Sequence, residues 1–302
     1  MKDPSDLARY PEGNTEQRGP CGARPLRYFV AVAEELNFTR AAERLGISPP
    51  PLSRAIRNLE KEMGVALFDR NTHGVALSPA GEVLLAEAKI VLDALQAAER
   101  RAQRAAATEP KLILAVKADG DAGLLEPILA RFASEPAAIP VAVRLCGWHE
   151  QPQLLRQGEA DAALVHEPFD RTGLDAETLI HEPRVAALAA SHPLAARDRL
   201  TLSDLELRPD DVEQFINRHR GQGRDLAQLL TLVGLGGPPH LLPASVAARY
   251  PRPGVVYRPV ADAPHSVLAI AWPQQSRSTA TAALVRVACS VAVAVGGAEA
   301  TS

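Results

Sequence analysis

Apolar positions follow a helical period in the first third of the chain. A first helix with one apolar face is predicted by the spacing of Leu26, Phe29, Val30 and Ala33. Thr39 is expected to be the N-cap of a short second helix over residues 40–45, which Gly46 can end in the left-handed conformation. Because a further helix follows after a turn of about three residues, the pattern indicates a helix-turn-helix.

The third helix is predicted over residues 49–63, with Ser48 as its N-cap. Three prolines occupy its first turn, where backbone N–H groups have no helical partner in any case. Spacings of four, three and four define an inward face made of Leu52, Ile56, Leu59 and Met63. The outward face then carries Ser53, Arg54 and Arg57, and side chains of these types bind phosphates and base edges.

A small hairpin is predicted next, with strands over residues 67–70 and 75–77. Such a hairpin beside a helix-turn-helix is a wing, and Arg70 is placed on it to reach a DNA phosphate. Ser78 and Pro79 then supply an N-cap and a first-turn proline for one long helix that extends to about residue 107.

The long helix carries apolar residues at alternating spacings of four and three, which is a heptad pattern over three heptads. We expect this stripe to pair two copies of the chain, and the alternative is packing against its own domain. The predicted dimerisation positions are Leu84, Ala88, Val91, Leu95, Ala98 and Ala102.

Beyond residue 110, short β-like runs alternate with helical stretches. Strands are predicted at 111–117, 141–145, 161–166, 185–190, 241–242, 255–257 and 267–272, and helices at 124–134 and 151–157. This alternation predicts an α/β domain with a mostly parallel sheet.

Composition limits the class of protein. The chain has 302 residues, of which 46% are apolar, so it is long enough for about two folded domains. The longest apolar run, residues 282–295, is interrupted by Arg286 and is too short to span a bilayer, and no signal core opens the chain. These features predict a cytoplasmic protein without membrane contact. Its three widely separated cysteines favour neither a disulfide framework nor a metal site.

The formal net charge of −3 conceals a local excess of positive charge. Residues 40–57 hold four arginines against one acid, Glu43. On a single helix such charges are usually a solvated face. In a helix-turn-helix with a wing they favour salt-dependent contacts with DNA phosphates.

Four segments at characteristic spacing carry a more specific likeness: residues 38–45 (FTRAAERL), 52–60 (LSRAIRNLE), 67–70 (LFDR) and 78–81 (SPAG). In these motifs the chain resembles the LysR-type transcriptional regulator family. The resemblance implies that the third helix enters the major groove and that the wing holds the backbone. The implied DNA contacts are Thr39, Arg40, Ser48, Pro49, Pro50, Ser53, Arg54, Arg57 and Arg70. The chain departs from the family at Pro49 and Pro51, where Gln and a small residue are usual, and this affects its base preference.

The same resemblance implies an effector-binding domain with two α/β lobes and a cleft between them. Three loops are expected at the cleft, namely residues 118–122, 166–168 and a loop around 215–218. We also expect the helix after the first loop to offer free backbone donors to an anion. The candidate effector contacts are Ala118, Asp119, Asp121, His166, Glu167 and Arg218, although ordinary turn chemistry or surface charge would also explain them.

The predicted organisation therefore has five parts. A tail over 1–23 precedes a winged helix-turn-helix over 24–81 and a linker helix over 82–108. The effector domain spans 109–295, with one lobe at about 109–186 and 263–295, the other at about 187–262, and a tail over 296–302. In fold class this is a multidomain protein with an α-helical reading head and a two-lobed α/β domain.

The predicted function is that of a DNA-binding transcriptional regulator whose promoter binding is modulated by a small-molecule effector. No cofactor, catalytic residue or metal is expected. The expected partners are double-stranded promoter DNA with a near-palindromic site, the effector, a second copy in a dimer or tetramer, and RNA polymerase. One alternative is a sensing module that acts through protein contacts. An enzyme fused to a winged helix is disfavoured, because the chain has no Gly-x-Ser-x-Gly, phosphate-loop or His-Glu-x-x-His motif.

Overall fold

The computed structural model describes residues 22–71, 74–106, 108–220 and 226–299. The chain forms two compact units, Met1–Asp93 and Ala94–Ser302. Their boundary falls inside one long helix. The predicted N-terminal tail, up to residue 21, and the last three residues lie outside the described residues.

The first unit contains three short helices, a hairpin and the start of a long helix. Its elements are α1 Ala23–Glu35, α2 Phe38–Leu45, α3 Pro49–Met63, β1 Phe68–Asn71, β2 Gly74–Leu77 and α4 Pro79–Ala105. The helix-turn-helix and wing are therefore confirmed. The predicted cap of α2 is wrong: Asn37 is the N-cap, and its Oδ1 accepts hydrogen bonds from the N–H groups of Thr39 and Arg40 at 2.9 and 3.1 Å.

The core of the first unit lies between the three helices and the hairpin. Leu52 and Ile56 are fully buried and Leu59 is almost so, as the spacing along α3 predicts. The rings of Phe29 and Phe68 lie 5.4 Å apart, which joins α1 to the wing. This packing fixes α3 with its polar face turned away from the core.

The junction between the wing and α4 is tight. Ser78 caps α4, because its hydroxyl accepts from the N–H of Gly81 at 3.0 Å and donates to the carbonyl of Ala66 at 2.7 Å. A Cβ at Gly81 would lie 2.2 Å from the carbonyl oxygen of Leu67. Glycine is thus required here by close backbone approach.

The second unit contains two lobes, each built on its own sheet. Its strands are β3 Leu112–Lys117, β4 Val141–Cys146, β5 Ala162–His166, β6 Leu174–Glu182, β7 Arg184–Ala189, β8 His240–Pro243, β9 Val255–Pro259 and β10 Ser266–Pro273. Its helices after the end of α4 are α5 Leu125–Phe132, α6 Gln151–Arg156, α7 Val212–Arg220, α8 Leu226–Gly234, α9 Ala244–Arg249 and α10 Thr279–Glu299. Short 3₁₀ turns lie at Pro193–Ala196, Ser203–Leu205 and Pro209–Asp211.

The sheet of the first lobe has the order β4-β3-β5-β10-β6. Only β3 pairs in parallel, with β4 and β5, whereas β10 runs antiparallel to β5 and β6. The second lobe has the order β8-β7-β9, and both of its pairs are antiparallel. Four of the five strands in the first-lobe sheet therefore run in one direction, and β10 is the exception because the chain returns from the second lobe in the opposite direction. The expected mostly parallel sheet is wrong for the second lobe, whose pairs are antiparallel.

The crossing between lobes differs from its predicted position. Strand β6 ends at Glu182 in the first sheet and β7 begins at Arg184 in the second, so only Pro183 joins them. Residues 184–186, assigned to the first lobe, belong to the second. The chain returns between Pro259 and Ser266. The predicted tail from residue 296 is also corrected, since α10 continues to Glu299.

One buried arginine holds both crossings. The Arg184 side chain is 2% exposed; its Nε donates to the carbonyl of Pro264 at 2.9 Å, and a terminal nitrogen lies 2.6 Å from Oε1 of Glu213. Burial lowers the pKa of Arg184, while the charges of Glu213 and Glu182 oppose that effect. This contact ties the outgoing strand to the return segment.

The end of α4 packs against the first lobe within the second unit. Ala97 is fully buried, and a Cβ at Gly158 would lie 2.8 Å from its Cα. Arg100 donates to the carbonyl of Gln157 at 2.9 Å and lies 2.7 Å from Glu159. The C-terminal half of the linker helix is thus a fixed part of this lobe.

Candidate DNA interface and effector cleft

The outward face of α3 carries three of the side chains that the sequence predicts to contact DNA. Arg54 and Arg57 are exposed and Ser53 is half-buried, on the side opposite Leu52 and Ile56. We call Ser53, Arg54 and Arg57 the reading face. Across the described residues, neither arginine has an ion-pair partner, so both guanidinium groups are available to phosphates or guanine edges.

The arginines of α2 are less available than those of the reading face. The Nε of Arg40 lies 3.3 Å from a carboxylate oxygen of Glu35, and a terminal nitrogen of Arg44 lies 2.8 Å from Glu34. Hydrogen bonding and charge from Glu34 raise the pKa of Arg44. The positive patch seen in the sequence is therefore partly neutralised by two acids of α1.

The start of α3 exposes Ser48, Pro49 and Pro50, as predicted. Ser48 occupies the N-cap position, but its side chain makes no cap hydrogen bond. In the wing, Arg70 pairs with Val75 across the hairpin, whereas its side chain lies outside the described part of the chain. Thr39 is exposed in the first turn of α2.

The predicted dimerisation stripe on α4 is divided. Ala88 is 1% exposed in the core of the first unit, so its assignment to a partner helix is wrong, and Leu84 packs against the same core. Val91 is 51% exposed, and Ala98 and Ala102 are exposed. The heptad spacing did not separate these two environments because small and branched apolar residues suit both.

The cleft loops meet across the two lobes. From the first lobe, Asp119 accepts a short hydrogen bond from the Tyr250 hydroxyl at the end of α9. Asp121 lies 2.6 Å from a terminal nitrogen of Arg249. Both carboxylates thus connect the first lobe to the second. The sequence did not predict these contacts, because the partners are 131 and 128 residues away.

The helix terminus beside this loop is not free for an anion, contrary to expectation. Oδ2 of Asp121 accepts from the N–H of Leu125 at 3.2 Å, so the carboxylate of the chain itself occupies the start of α5. Asp119 and Ala122 have φ values of +63° and +51°, which keeps the loop in a strained turn.

His166 lies at the carboxyl end of β5, where it contacts two neighbours. Its Nε2 is 3.1 Å from the carbonyl oxygen of Gly120, and its Nδ1 is 3.2 Å from the hydroxyl of Ser266. Because a carbonyl only accepts, Nε2 carries the proton in the neutral ring and Nδ1 accepts from Ser266. This assignment gives His166 a fixed orientation at the edge of the cleft.

Two further polar side chains at this edge, Lys117 and Glu182, were not predicted. Lys117 is 8% exposed; its Nζ lies 3.6 Å from the ring centroid of Trp148 and donates to the carbonyl of Ala118 at 2.9 Å. Glu182 is directly paired with Ser266 in the sheet, and its Oε2 accepts from the N–H of Ser245 at 3.1 Å. Its buried Oε1 has no hydrogen-bond partner in the described ranges.

The two remaining predicted effector contacts are Glu167 and Arg218. Glu167 turns to Arg171 four residues along its own loop. The expected loop around residues 215–218 is wrong, because this segment lies in α7, where Ile216 is buried in the second lobe. The Arg218 side chain lies outside the described residues.

Each of the two units contains a segment that matches a known protein-family model. Residues 23–82 match the model of the bacterial regulatory helix-turn-helix protein of the LysR family, and residues 105–290 match the LysR substrate binding domain. The chain belongs to the LysR family of transcriptional regulators. It is a DNA-binding regulator with an effector-binding domain.

Individual LysR relatives agree with this assignment. The HTH-type transcriptional regulator AlsR of Bacillus subtilis is 35% identical over 62% of each protein, so less than two thirds of that relative is matched. The Hca operon transcriptional activator HcaR of Escherichia coli is 32% identical over 82% of this chain and 90% of its own. The crystal structure of full-length BenM, from Acinetobacter baylyi, is 27% identical with a TM-score of 0.51 and covers 92% of this chain and 98% of that one.

Two further observations concern the described residues of this LysR regulator. None of their helices is long and apolar enough to cross a membrane. Among the same residues, no group of three or more His, Cys, Asp or Glu side chains could hold a metal ion.

Cys146, at the end of β4, is expected to be unreactive at neutral pH. Burial, with a contribution from Glu150, raises the pKa of its thiol to about 11. Its thiolate fraction at pH 8 is then about a hundredfold smaller than that of an exposed cysteine with a pKa near 9. In a Cys21→Ser/Cys289→Ser variant, labelling by iodoacetamide should rise about tenfold per pH unit up to pH 10. Equal rates in buffer and in urea at pH 8 would contradict this.

The contact between Asp121 and Arg249 is expected to limit opening of the cleft. An ion pair between partly exposed groups contributes about 1 kcal/mol, so Asp121→Asn should speed hydrogen exchange at the amide of Tyr250 about fivefold. Asp211→Asn is the matched control, because it removes an exposed ion pair with Arg208 inside one lobe. Identical exchange in the two variants would show that the interlobe pair has no such role.

Proposed function

We propose that this regulator reads promoter DNA with the reading face of α3 and with the exposed start of that helix, while the wing holds the backbone. The observation that carries the proposal is a pair of exposed arginines on the outward face of a packed helix-turn-helix, neither with an ion-pair partner among the residues that the structure describes. Pro49 and Pro50 offer no hydrogen-bond donor to a base. Base discrimination therefore falls on Ser48, Ser53 and the two arginines.

The protein acts as a dimer or tetramer through the exposed part of α4. Val83 and Ile90 are 66% and 44% exposed, and with Val91 they leave an apolar surface on the helix. Ala98 and Ala102 extend it with small side chains. A dimer places two reading heads on one duplex, and a near-palindromic site follows from that symmetry. Contact with RNA polymerase would then act on transcription in the cytoplasm, where the promoter lies.

A small-molecule effector binds the cleft and changes the contacts between the lobes. Support comes from polar groups that converge there, among them His166, Ser266 and the unpaired Oε1 of Glu182. Because Asp119 and Asp121 hold Tyr250 and Arg249, an effector that competes for either carboxylate would loosen the lobes. We infer that this function involves no enzymatic step.

A salt titration tests the proposed DNA-reading mode. Fragments are selected from a random-sequence duplex pool by repeated capture on the full chain, and binding is then measured by filter retention from 50 to 300 mM salt. The expected result is a near-palindromic sequence with half-sites about 10 base pairs apart, and a logarithmic affinity that falls steeply with salt. An absence of enrichment and of binding at 50 mM salt would instead favour a module that acts through protein contacts.

A further inference from the structure

A second concavity lies at the edge of the first-lobe sheet opposite the cleft. It forms where α4 ends, beside the first residues of β3 and the last residue of β10, and it has a volume of about 600 Å³. We call it the linker cavity. Ligand pockets in proteins usually span about 300–1,000 Å³, so this cavity is large enough for a small organic molecule.

The wall of the linker cavity carries more positive than negative charge. Asp161 is already satisfied. Its two carboxylate oxygens lie 3.2 and 3.3 Å from two nitrogens of Arg104, and the carboxylate also accepts a hydrogen bond from the N–H of Ile113 at 2.8 Å. The remaining cations are Arg101, Lys111 and Arg277. Where the chain is described, none of the three has an ion-pair partner, and Glu109 is the remaining lining acid.

The inner part of the cavity is apolar. Leu112 is 2% exposed, Pro273 is buried and Ile139 is half-buried, and all three line the cavity. The start of α10 also lies beside the cavity. Its N–H group at Thr281 is already bonded to the hydroxyl of Ser278 at 3.1 Å, within the helix terminus itself. The cavity thus combines an apolar floor with flexible cationic side chains at its mouth.

We propose that the linker cavity binds a small organic anion with a compact apolar body and one carboxylate. The apolar body lies against Leu112, Ile139 and Pro273, and the carboxylate pairs with Arg101, Lys111 and Arg277. This site is separate from the cleft and does not depend on the effector proposed there.

Occupancy would reinforce the attachment of α4 to the first lobe. Arg101 belongs to α4, whereas Lys111 and Arg277 belong to the lobe, so one carboxylate can join them. That bridge adds to the existing contacts between α4 and the lobe, at Ala97 with Gly158 and at Arg100 with Glu159. Because α4 continues into the unit that holds the winged helix, an anion here acts on the connection between sensing and DNA reading.

Calorimetric titration of the full chain with phenylacetate and cyclohexanecarboxylate tests the proposal, with phenylacetamide as the neutral counterpart. The test variant is Arg101→Gln/Arg277→Gln, and both side chains are exposed, which favours retention of the fold. The matched control is Arg131→Gln/Arg286→Gln, which removes the same charge from exposed positions that do not line the cavity. Hydrogen exchange over residues 97–104 is measured in parallel.

We expect saturable binding of at least one carboxylate, at least tenfold weaker in the test variant and unchanged in the control. The amide should bind at least tenfold more weakly, and the carboxylate should slow exchange in α4 of the wild-type chain and of the control, but not of the test variant. Binding that survives in the test variant would place the ligand in the cleft and overturn the proposal. Equal loss in both variants, or no binding of either carboxylate at 10 mM, would also overturn it. A loss of DNA affinity in the test variant, without carboxylate binding, would assign these cations to the DNA backbone.

Discussion

Replacing Arg54 and Arg57 together with alanine is expected to weaken binding to a selected promoter fragment by about a hundredfold. Each arginine on the reading face contributes about 1–3 kcal/mol, whether it pairs with a guanine edge or a phosphate. Both guanidinium groups are exposed and lack ion pairs in the described structure, so little of this contribution is offset by contacts within the protein. Measurement by fluorescence anisotropy at fixed salt gives the change directly.

A charge-matched variant separates recognition from general electrostatics. Arg27→Ala/Lys61→Ala removes two exposed cations of the same unit from α1 and from the far end of α3. It should weaken binding by less than fivefold. Loss of equal size in both double variants would show that the reading face has no special role.

The single variants distinguish the two kinds of contact. If Arg57 holds a phosphate, Arg57→Ala should weaken binding to all sequences alike and reduce the salt slope by about one per contact. If it reads a base, the variant should lose preference at one base pair of each half-site. An Arg57→Ala protein with unchanged affinity, salt slope and preference would contradict both roles.

Gly81→Ala is expected to destabilise the first unit by about 3 kcal/mol. The added Cβ would lie 2.2 Å from the carbonyl oxygen of Leu67 and 2.9 Å from a methyl carbon of Leu77. Because one of these atoms is backbone, α4 or the wing must shift, and overpacking of this kind costs about 1–3 kcal/mol or more. The Ser78 cap and its bond to Ala66 would be strained at the same time.

Helix propensity predicts the opposite sign, which makes this variant informative. Alanine favours an exposed helix by about 1 kcal/mol over glycine, so Gly81→Ala would stabilise α4 if the backbone approach were unimportant. Urea unfolding followed by circular dichroism measures the change, with Glu82→Ala, at an exposed neighbour, as the control. An unchanged or higher midpoint for Gly81→Ala would show that the close approach to Leu67 has no energetic role.

Helices whose apolar residues all lie on one face could be predicted from the sequence. The spacing of Leu52, Ile56 and Leu59 identified the inward face of α3, and the same reasoning placed Arg54 and Arg57 outside. Local turn chemistry was less decisive. Asn37 and Thr39 are both good N-cap residues, and the choice between them depends on the residue at which α1 ends.

The cleft was less predictable because its contacts join distant parts of the chain. Strand β6 has a mixed burial pattern and was not predicted, although it forms the edge of the first-lobe sheet. Asp119 and Asp121 suit a turn, and nothing local indicates that Tyr250 and Arg249 meet them. Long-range partners of this kind follow from how the lobes close on each other, which periodicity does not record.

The two connections between the lobes have unequal lengths, and this has a mechanical consequence. A single residue, Pro183, separates β6 from β7, whereas six residues lie between β9 and β10. A connection of one residue with a fixed φ cannot lengthen, so it serves as a pivot between the lobes. The longer return segment can change its conformation as the lobes move. Arg184, seated at that pivot, keeps the two connections together. The lobes should therefore swing about one corner, and the tips of the cleft farthest from Pro183 should travel the greatest distance.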